Sequence, residues 1–181
     1  MNILVLNGSP RKKGTVSEVL KSTVSKLESK NSGNSVVWEN ICSLKHSFCN
    51  GCMKCRASGN CILPADDAHR IADEIKACDM IVVGTPVYWG NMNGRLKILF
   101  DRLVGSLMAE SKMGIPIPLH KGKKAVIVTA CTTPFPFNYI CGQSTGAVRA
   151  VKEVLKSSGF RITKKINIAG TKNKSFESME K

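Results

Sequence analysis

The sequence is short of acidic residues, short of aromatics and free of long apolar runs, and each shortage removes a class of protein. No segment approaches the roughly 20 consecutive apolar residues that a membrane span needs. The N-terminus lacks the charged start, apolar stretch and cleavage site of a secretory leader, so a cytoplasmic protein is expected. Aspartate and glutamate number 13 against 27 lysines and arginines, for a formal net charge of +14. Such a field attracts phosphates, acidic proteins or nucleic acid without choosing among them. Aromatics make up 6% of the chain. Basic pairs such as Lys123-Lys124 and Lys164-Lys165 have few of them interleaved, which argues for a solvated basic surface over a single-strand stacking platform. Two nucleotide signatures are also missing. Five residues separate Gly8 from Gly14 and Thr15 follows directly, which is not a Walker A loop. No G-x-G-x-x-G follows the first apolar run, which removes the usual dinucleotide fingerprint. Without an internal repeat or a long linker, one domain over residues 1–170 and a polar tail at 171–181 are expected.

What is present is organised around the first seventeen residues. Ile3 to Leu6 is an apolar run that stops at Asn7-Gly8-Ser9-Pro10, as a buried strand stops at a sharp turn. Val16, Val19, Leu20, Val24 and Leu27 then recur at helical spacing. Gly8 and Gly14 let the backbone turn tightly, Ser9, Thr15 and Ser17 bring hydroxyls, Arg11 brings a fork of donors, and a new helix offers unpaired N–H groups. Together these suit a phosphate. The plainer alternative is an ordinary turn carrying an exposed Arg11-Lys12-Lys13 triplet.

Farther along, Val36 to Ile41 mixes apolar and polar residues like an edge strand, and a cysteine-rich insertion occupies residues 42–65. Asp66 is placed to cap a helix bearing Ala68, Ile71, Ala72 and Ile75. Met80 to Gly84 is a second apolar strand, leading into the loop Thr85 to Asn91. Leu96, Leu99, Phe100, Leu103, Val104 and Leu107 predict one helix begun by Asn91 or Asn93. Ala109 to Lys121 reads as a connection, Ala125 to Ala130 as a third apolar strand, and Gln143 to Ser157 as a helix ended by Gly159. Phe160, Ile162, Ile166 and Ile168 alternate as an edge strand does. Five strands alternating with helices imply a three-layer αβα sandwich with a parallel sheet. Placing the apolar strands centrally and the mixed ones at the edges gives the order 2-1-3-4-5, which is flavodoxin-like. The ligand crevice of that order lies beyond the ends of strands one and three, where the loops at Gly8–Ser17 and Thr85–Asn91 must meet.

One loop then offers a phosphate site, and the other offers backbone donors beside Tyr88 and Trp89, suited to the polar edge and flat face of an aromatic ring. FMN has both parts. Val87, Tyr88 and Trp89 as packing residues is the alternative.

Three stretches, NGSPRKKGT, CNGCMKCRASGNC and TPVYWGNMNGRLKILFDR, resemble the NADPH-dependent FMN reductase family of flavodoxin-like proteins, and most of all its iron-sulfur flavoprotein branch. The resemblance covers essentially the whole chain. It implies FMN, with Ser9, Arg11, Thr15, Val16 and Ser17 at the phosphate and Pro86, Val87, Tyr88, Trp89 and Asn91 bordering the ring. It also implies a homodimer or homotetramer, and electrons from NAD(P)H or a reduced carrier protein. Where many relatives read G-N-T, this chain has Gly14-Thr15-Val16, so Val16 offers only its backbone N–H.

Cys49, Cys52, Cys55 and Cys61 follow C-x2-C-x2-C-x5-C, closer to the iron-sulfur run of bacterial ferredoxins than to the separated pairs of zinc modules. The same spacing in the iron-sulfur flavoproteins implies a 4Fe-4S cluster; zinc and free or reversibly oxidised thiols remain alternatives. The insertion follows strand two, on the phosphate side of the flavin, so a cluster is expected to serve a flavin across a subunit interface. Cys42 and Cys78 are expected to pack, as is Cys131; Cys141 carries no assignment. His46 is expected to be a solvated loop residue, and His69 and His120 show no evident partners.

The chain is therefore expected to be an FMN-dependent oxidoreductase in which the flavin performs the chemistry, with no catalytic acid–base or nucleophilic residues. A nonenzymatic electron carrier and a redox-responsive nucleic-acid-binding regulator are the rival readings.

Overall fold

The computed structural model describes residues 1–172; the expected polar tail lies, from residue 173 on, outside the described residues. In chain order the elements are β1 (Asn2–Asn7), α1 (Thr15–Glu28), β2 (Ser35–Asn40), α2 (Cys55–Ser58), α3 (Asp67–Ala77), β3 (Met80–Pro86), α4 (Gly94–Arg102), α5 (Val104–Leu107), β4 (Met108–Glu110), β5 (Pro116–Pro118), β6 (Lys124–Ala130), α6 (Phe137–Ile140), α7 (Gln143–Ser157) and β7 (Arg161–Ile168). The main sheet is parallel in the order β2-β1-β3-β6-β7, the expected 2-1-3-4-5 when its strands are counted alone.

Burial explains that order. β1, β3 and β6 are almost wholly buried, whereas β2 and β7 keep exposed positions, as edges do. Alternating side chains split the core. Leu4, Leu6, Ile81, Val83 and Ile127 pack with Ile71, Ile75, Leu96, Leu99, Val151 and Leu155 from α3, α4 and α7. Ile3, Val5, Val82, Val126 and Val128 pack with Val16, Val19, Leu20 and Val24 of α1 on the other face. A groove of about 700 Å³ lies between α1 and β7, lined by Met80, Val126 and several lysines; it opens toward the starts of β3 and β6, away from the strand ends where ligands are expected.

Two stretches depart from the sequence expectation. The helix expected to continue to Leu107 breaks after Arg102, and α5 restarts beyond Leu103. Here Gly105 meets the cysteine loop so closely that a Cβ would sit 2.6 Å from the Cys55 carbonyl oxygen, so the chain bends around an approach that no side chain permits. The expected connection at Ala109–Lys121 contains an antiparallel hairpin, pairing Met108 with Pro118 and Glu110 with Pro116. Its prolines are tolerated because each of its two strands is an edge. Among the described residues no helix is long and apolar enough to cross a membrane.

Candidate functional site

The first loop is built from the last residue of β1. Asn7 is 2% exposed. Its Nδ2 donates to Ser17 Oγ at 3.0 Å and to Asn40 Oδ1 at 3.1 Å, and its Oδ1 accepts from the Ser9 N–H at 3.1 Å. One side chain thus joins the ends of β1 and β2 to the first turn of α1. Gly8 donates its N–H to the Gly84 carbonyl of β3 at 2.8 Å, and a Cβ there would lie 2.9 Å from that oxygen. The ends of β1 and β3 therefore meet as the sheet order requires.

Within the loop, the Arg11 carbonyl accepts from Ser9 Oγ at 3.2 Å, Ser17 Oγ at 2.8 Å and Gly14 N at 3.1 Å. Ser9 and Ser17 are buried and occupied with this carbonyl, while the Arg11 side chain is exposed and Thr15 half-buried. Val16 is buried against Gly84. Gly14 caps α1 without a side-chain acceptor. The amides of Thr15, Val16 and Ser17 have no intrahelical partner, and the positive end of the helix dipole lies there. These open amides and the tight loop fit a phosphate.

The second loop leaves β3 with Val87 N–H bonded to the Ala130 carbonyl of β6 at 2.9 Å. Tyr88 and Asn91 exchange backbone hydrogen bonds around Trp89 and Gly90, whose φ values are 52° and 70°. Successive left-handed residues make this the tight turn that closes a two-residue hairpin. Trp89 stands 100% exposed and Tyr88 is 46% exposed. Pro86 and Val87 are half-buried below them. Asn91 uses its Oδ1 to accept from Met92 N–H, and Asn93 caps α4, so of the two expected helix starters it is Asn93 that acts.

The structure adds a third surface. Gly90 rests on the start of α7, where a Cβ on Gly146 would meet the Gly90 carbonyl oxygen. Beside it Phe135, Phe137, Tyr139 and Ile140 are exposed, with the Phe135 and Tyr139 rings edge to face at 6.2 Å. The apolar spacing around Pro134 and Pro136 was the signal for it, but no helical or strand period runs through those residues. Exposed rings at this end of the sheet and the open amides at the start of α1 fit the two parts of FMN.

Cys49 and Cys52 are exposed, Cys55 and Cys61 half-buried, and all are free. Among the described residues no three His, Cys, Asp or Glu side chains stand together as a metal site. The donor chemistry still suits a soft metal group: the thiols share one loop, bent by positive φ at Gly51, Met53 and Gly59. Cys78 is buried as expected, and burial pushes its thiol up to about 11. Cys42 is only half-buried, with its Sγ on the Gly8 carbonyl, and its thiol is also raised by burial. Cys131 is buried, near Ser144 Oγ.

Sequence reasoning missed Arg102. Its side chain is 0% exposed and pairs with Asp66 at 2.8 Å. Burial is the largest influence and works against both charges, but their mutual hydrogen bonds and attraction, together with the Ser47 and Ala68 N–H groups at Asp66 and the Cys61 sulfur at Arg102, outweigh it and hold the Asp66 carboxyl low and the Arg102 guanidinium high. The histidines also differ from expectation. Both ring nitrogens of His46 are buried without a partner. His69 bonds Asp66 and the Cys61 carbonyl, and His120 stacks on Phe160 and bonds the Ser106 carbonyl.

A family model described as flavodoxin-like fold matches residues 1–181. An iron-sulfur flavoprotein of Archaeoglobus fulgidus is 34% identical over 104 residues, covering 58% of this chain and 46% of that protein. An FMN-dependent NADH:quinone oxidoreductase of Burkholderia lata is 32% identical over 140 residues, covering 71% of this chain and 69% of that protein. The matched stretch thus spans about half to two thirds of the length of these relatives. Among solved structures, an FMN-dependent NADH-azoreductase of Bacillus anthracis in complex with FMN shares the fold, with a TM-score of 0.77 at 12% identity over 99% of this chain and 92% of that one. Sheet order, loop placement and the full-length match agree: the chain belongs to the flavodoxin-like fold family.

Proposed function

We propose that this chain is an FMN-dependent oxidoreductase that takes electrons from NAD(P)H or a reduced carrier protein. The observation that carries the reading is the meeting of two features at adjacent strand ends. The open amides of α1 lie beside the Gly8–Gly84 contact, and the Tyr88–Asn91 turn follows directly from β3. The names of the relatives support it, since they include an FMN-dependent NADH:quinone oxidoreductase and an iron-sulfur flavoprotein.

Bound FMN supplies the acceptance and release of a hydride or of single electrons. The chain supplies position. The amides of Thr15, Val16 and Ser17, the Thr15 hydroxyl and the Arg11 guanidinium hold the phosphate, with Ser9 and Ser17 bracing the loop through the Arg11 carbonyl. Pro86, Val87, Tyr88, Trp89 and Asn91 border the ring, and their backbone groups orient its polar edge. Cys49, Cys52, Cys55 and Cys61 are the residues that would hold a 4Fe-4S cluster, which would supply single-electron transfer. The exposed Trp89, Phe137 and Ile140 surface is covered by a second copy in a homodimer.

Anaerobic stopped-flow mixing of the FMN-loaded protein with NADH and with NADPH tests the reading. Bleaching of the flavin band by either nucleotide, and its return on adding a quinone, is expected. A flavin that neither nucleotide nor a reduced ferredoxin bleaches overturns it.

A further inference from the structure

The hairpin of β4 and β5 is apolar on the side turned away from the body. Pro116 and Pro118 share one face of β5, and the register sets Glu110 and Met108 of β4 opposite them. That face is held against the body: Glu110 pairs with Arg56 of α2, and a Cβ on Gly159 would lie 2.8 Å from the Pro118 side chain. Alternation therefore turns Ile115, Ile117 and Leu119 to the opposite face. The Gly114 N–H bonds the Ser111 carbonyl at 2.9 Å, closing a turn with Met113 at its tip. These four side chains stand 45–81% exposed, and no part of the proposed FMN site uses them.

Their surroundings are basic. Lys112 and Lys121 flank the apolar face and are exposed, and Lys123 and Lys124 follow at its base. The one acid between residues 108 and 124 is Glu110, which Arg56 already holds. Aliphatic side chains ringed by lysines, with no free carboxylate among them, fit a surface that is anionic outside and hydrocarbon beneath. A second copy does not fit as well. In a twofold contact the same patch meets itself, so lysine would face lysine. Four side chains also fall far short of the roughly 20–30 residues a side that a stable protein contact uses. Nucleic acid offers no hydrocarbon layer, and this face offers no ring on which a base could stack.

We propose that the hairpin docks the protein reversibly on a bilayer surface that contains anionic lipid. Met113, Ile115, Ile117 and Leu119 enter the interface, while Lys112 and Lys121 stay at the level of the lipid phosphates. The base of the hairpin lies at the starts of the strands: His120 N–H bonds the Ser158 carbonyl shortly before β7, and Lys124 opens β6. In a parallel sheet the loops at Gly8–Ser17 and Tyr88–Asn91 lie at the other end. Docking therefore leaves the proposed FMN site clear, and this inference does not rest on that reading.

The test sediments the full chain with sucrose-loaded vesicles of phosphatidylcholine alone and of phosphatidylcholine mixed equally with phosphatidylglycerol, at stepped salt. Binding to the mixed vesicles, absent from the neutral ones and falling as salt rises, is expected. The double variant Ile115→Ser, Ile117→Ser should lower the partition coefficient at least about tenfold, because each buried methylene adds its own increment. The double variant Lys112→Gln, Lys121→Gln should lower it by about tenfold, because each lysine near an anionic surface does the same. All four positions are exposed, so circular dichroism should match wild type. Equal binding to both kinds of vesicle, binding to neither, or variants that partition like wild type overturn the proposal. So does self-association of the wild-type chain, read by velocity sedimentation without vesicles, that the isoleucine variant loses, since the face then belongs to a second copy.

Discussion

Replacing Asn7 by alanine cuts the tie between two strand ends and α1 without touching any group that faces the ligand. Three hydrogen bonds are lost, to Ser17 Oγ, Asn40 Oδ1 and the Ser9 N–H. At about 0.5–1.5 kcal/mol each they amount to roughly 2–4 kcal/mol. Asn40 keeps the Trp38 Nε1 donor at 3.2 Å, so the loss concentrates on the Ser9 N–H and on Ser17. For a chain of this size that corresponds to a melting temperature lower by roughly 4–16 °C. Ser17 keeps its own bond to the Arg11 carbonyl but loses the Asn7 donor that fixes its hydroxyl, so the loop loosens at the proposed phosphate site. FMN binding should weaken by about tenfold or more. Thermal unfolding without ligand and quenching of FMN fluorescence on titration measure the two effects separately. A variant that melts within about 2 °C of wild type and binds FMN unchanged refutes the assignment of Asn7 as the loop's brace.

Three further outcomes follow from the same geometry. Arg11→Ala should leave stability unchanged, because the side chain is exposed, yet weaken FMN retention by about tenfold with a shallower salt dependence, as read by equilibrium dialysis at stepped salt. Trp89→Gly should cost no stability, since its ring is 100% exposed and its φ of 52° suits glycine, but should shift the dimer toward monomer in velocity sedimentation; an unchanged dimer counts against the proposed interface. Burial lowers the His120 pKa, against the opposing bond to the Ser106 carbonyl. A depressed folded pKa gives stability that is present above the unfolded value near 6.5 and lost as pH falls through the folded one. Denaturant midpoints should therefore drop on the acid side of about pH 6.5, and His120→Phe, which keeps a ring against Phe160, should flatten that slope.

Much of the sheet was legible because burial writes itself into runs. Ile3–Leu6, Met80–Gly84 and Ala125–Ala130 are continuous apolar stretches and lie at the centre, while the mixed stretches from Val36 and Phe160 lie at the edges. Helix α7 spans Gln143–Ser157 as its spacing and Gly159 indicate. The two loops of the proposed FMN site were legible as loops at the strand ends because glycine, proline and hydroxyl residues punctuate them. What stayed hidden depends on long-range contacts. The break after Arg102 is set by Gly105 meeting Cys55, which lies far away in sequence, while the apolar period runs straight through it. Arg102 itself reads as one basic residue among many, and its burial depends on Ser47, Cys61 and Asp66, all far away in sequence. The Asn7 brace likewise needs α1 folded back over β1 before its partners exist.

The central claim is that FMN rests where the Gly8–Ser17 loop meets the Tyr88–Asn91 turn, and titrating the purified chain with FMN while following flavin fluorescence and visible absorption tests it most directly. Saturable quenching at one FMN per chain, with a yellow protein retained after gel filtration, is the predicted result. A chain that stays colourless in excess FMN and leaves its fluorescence unquenched contradicts the account.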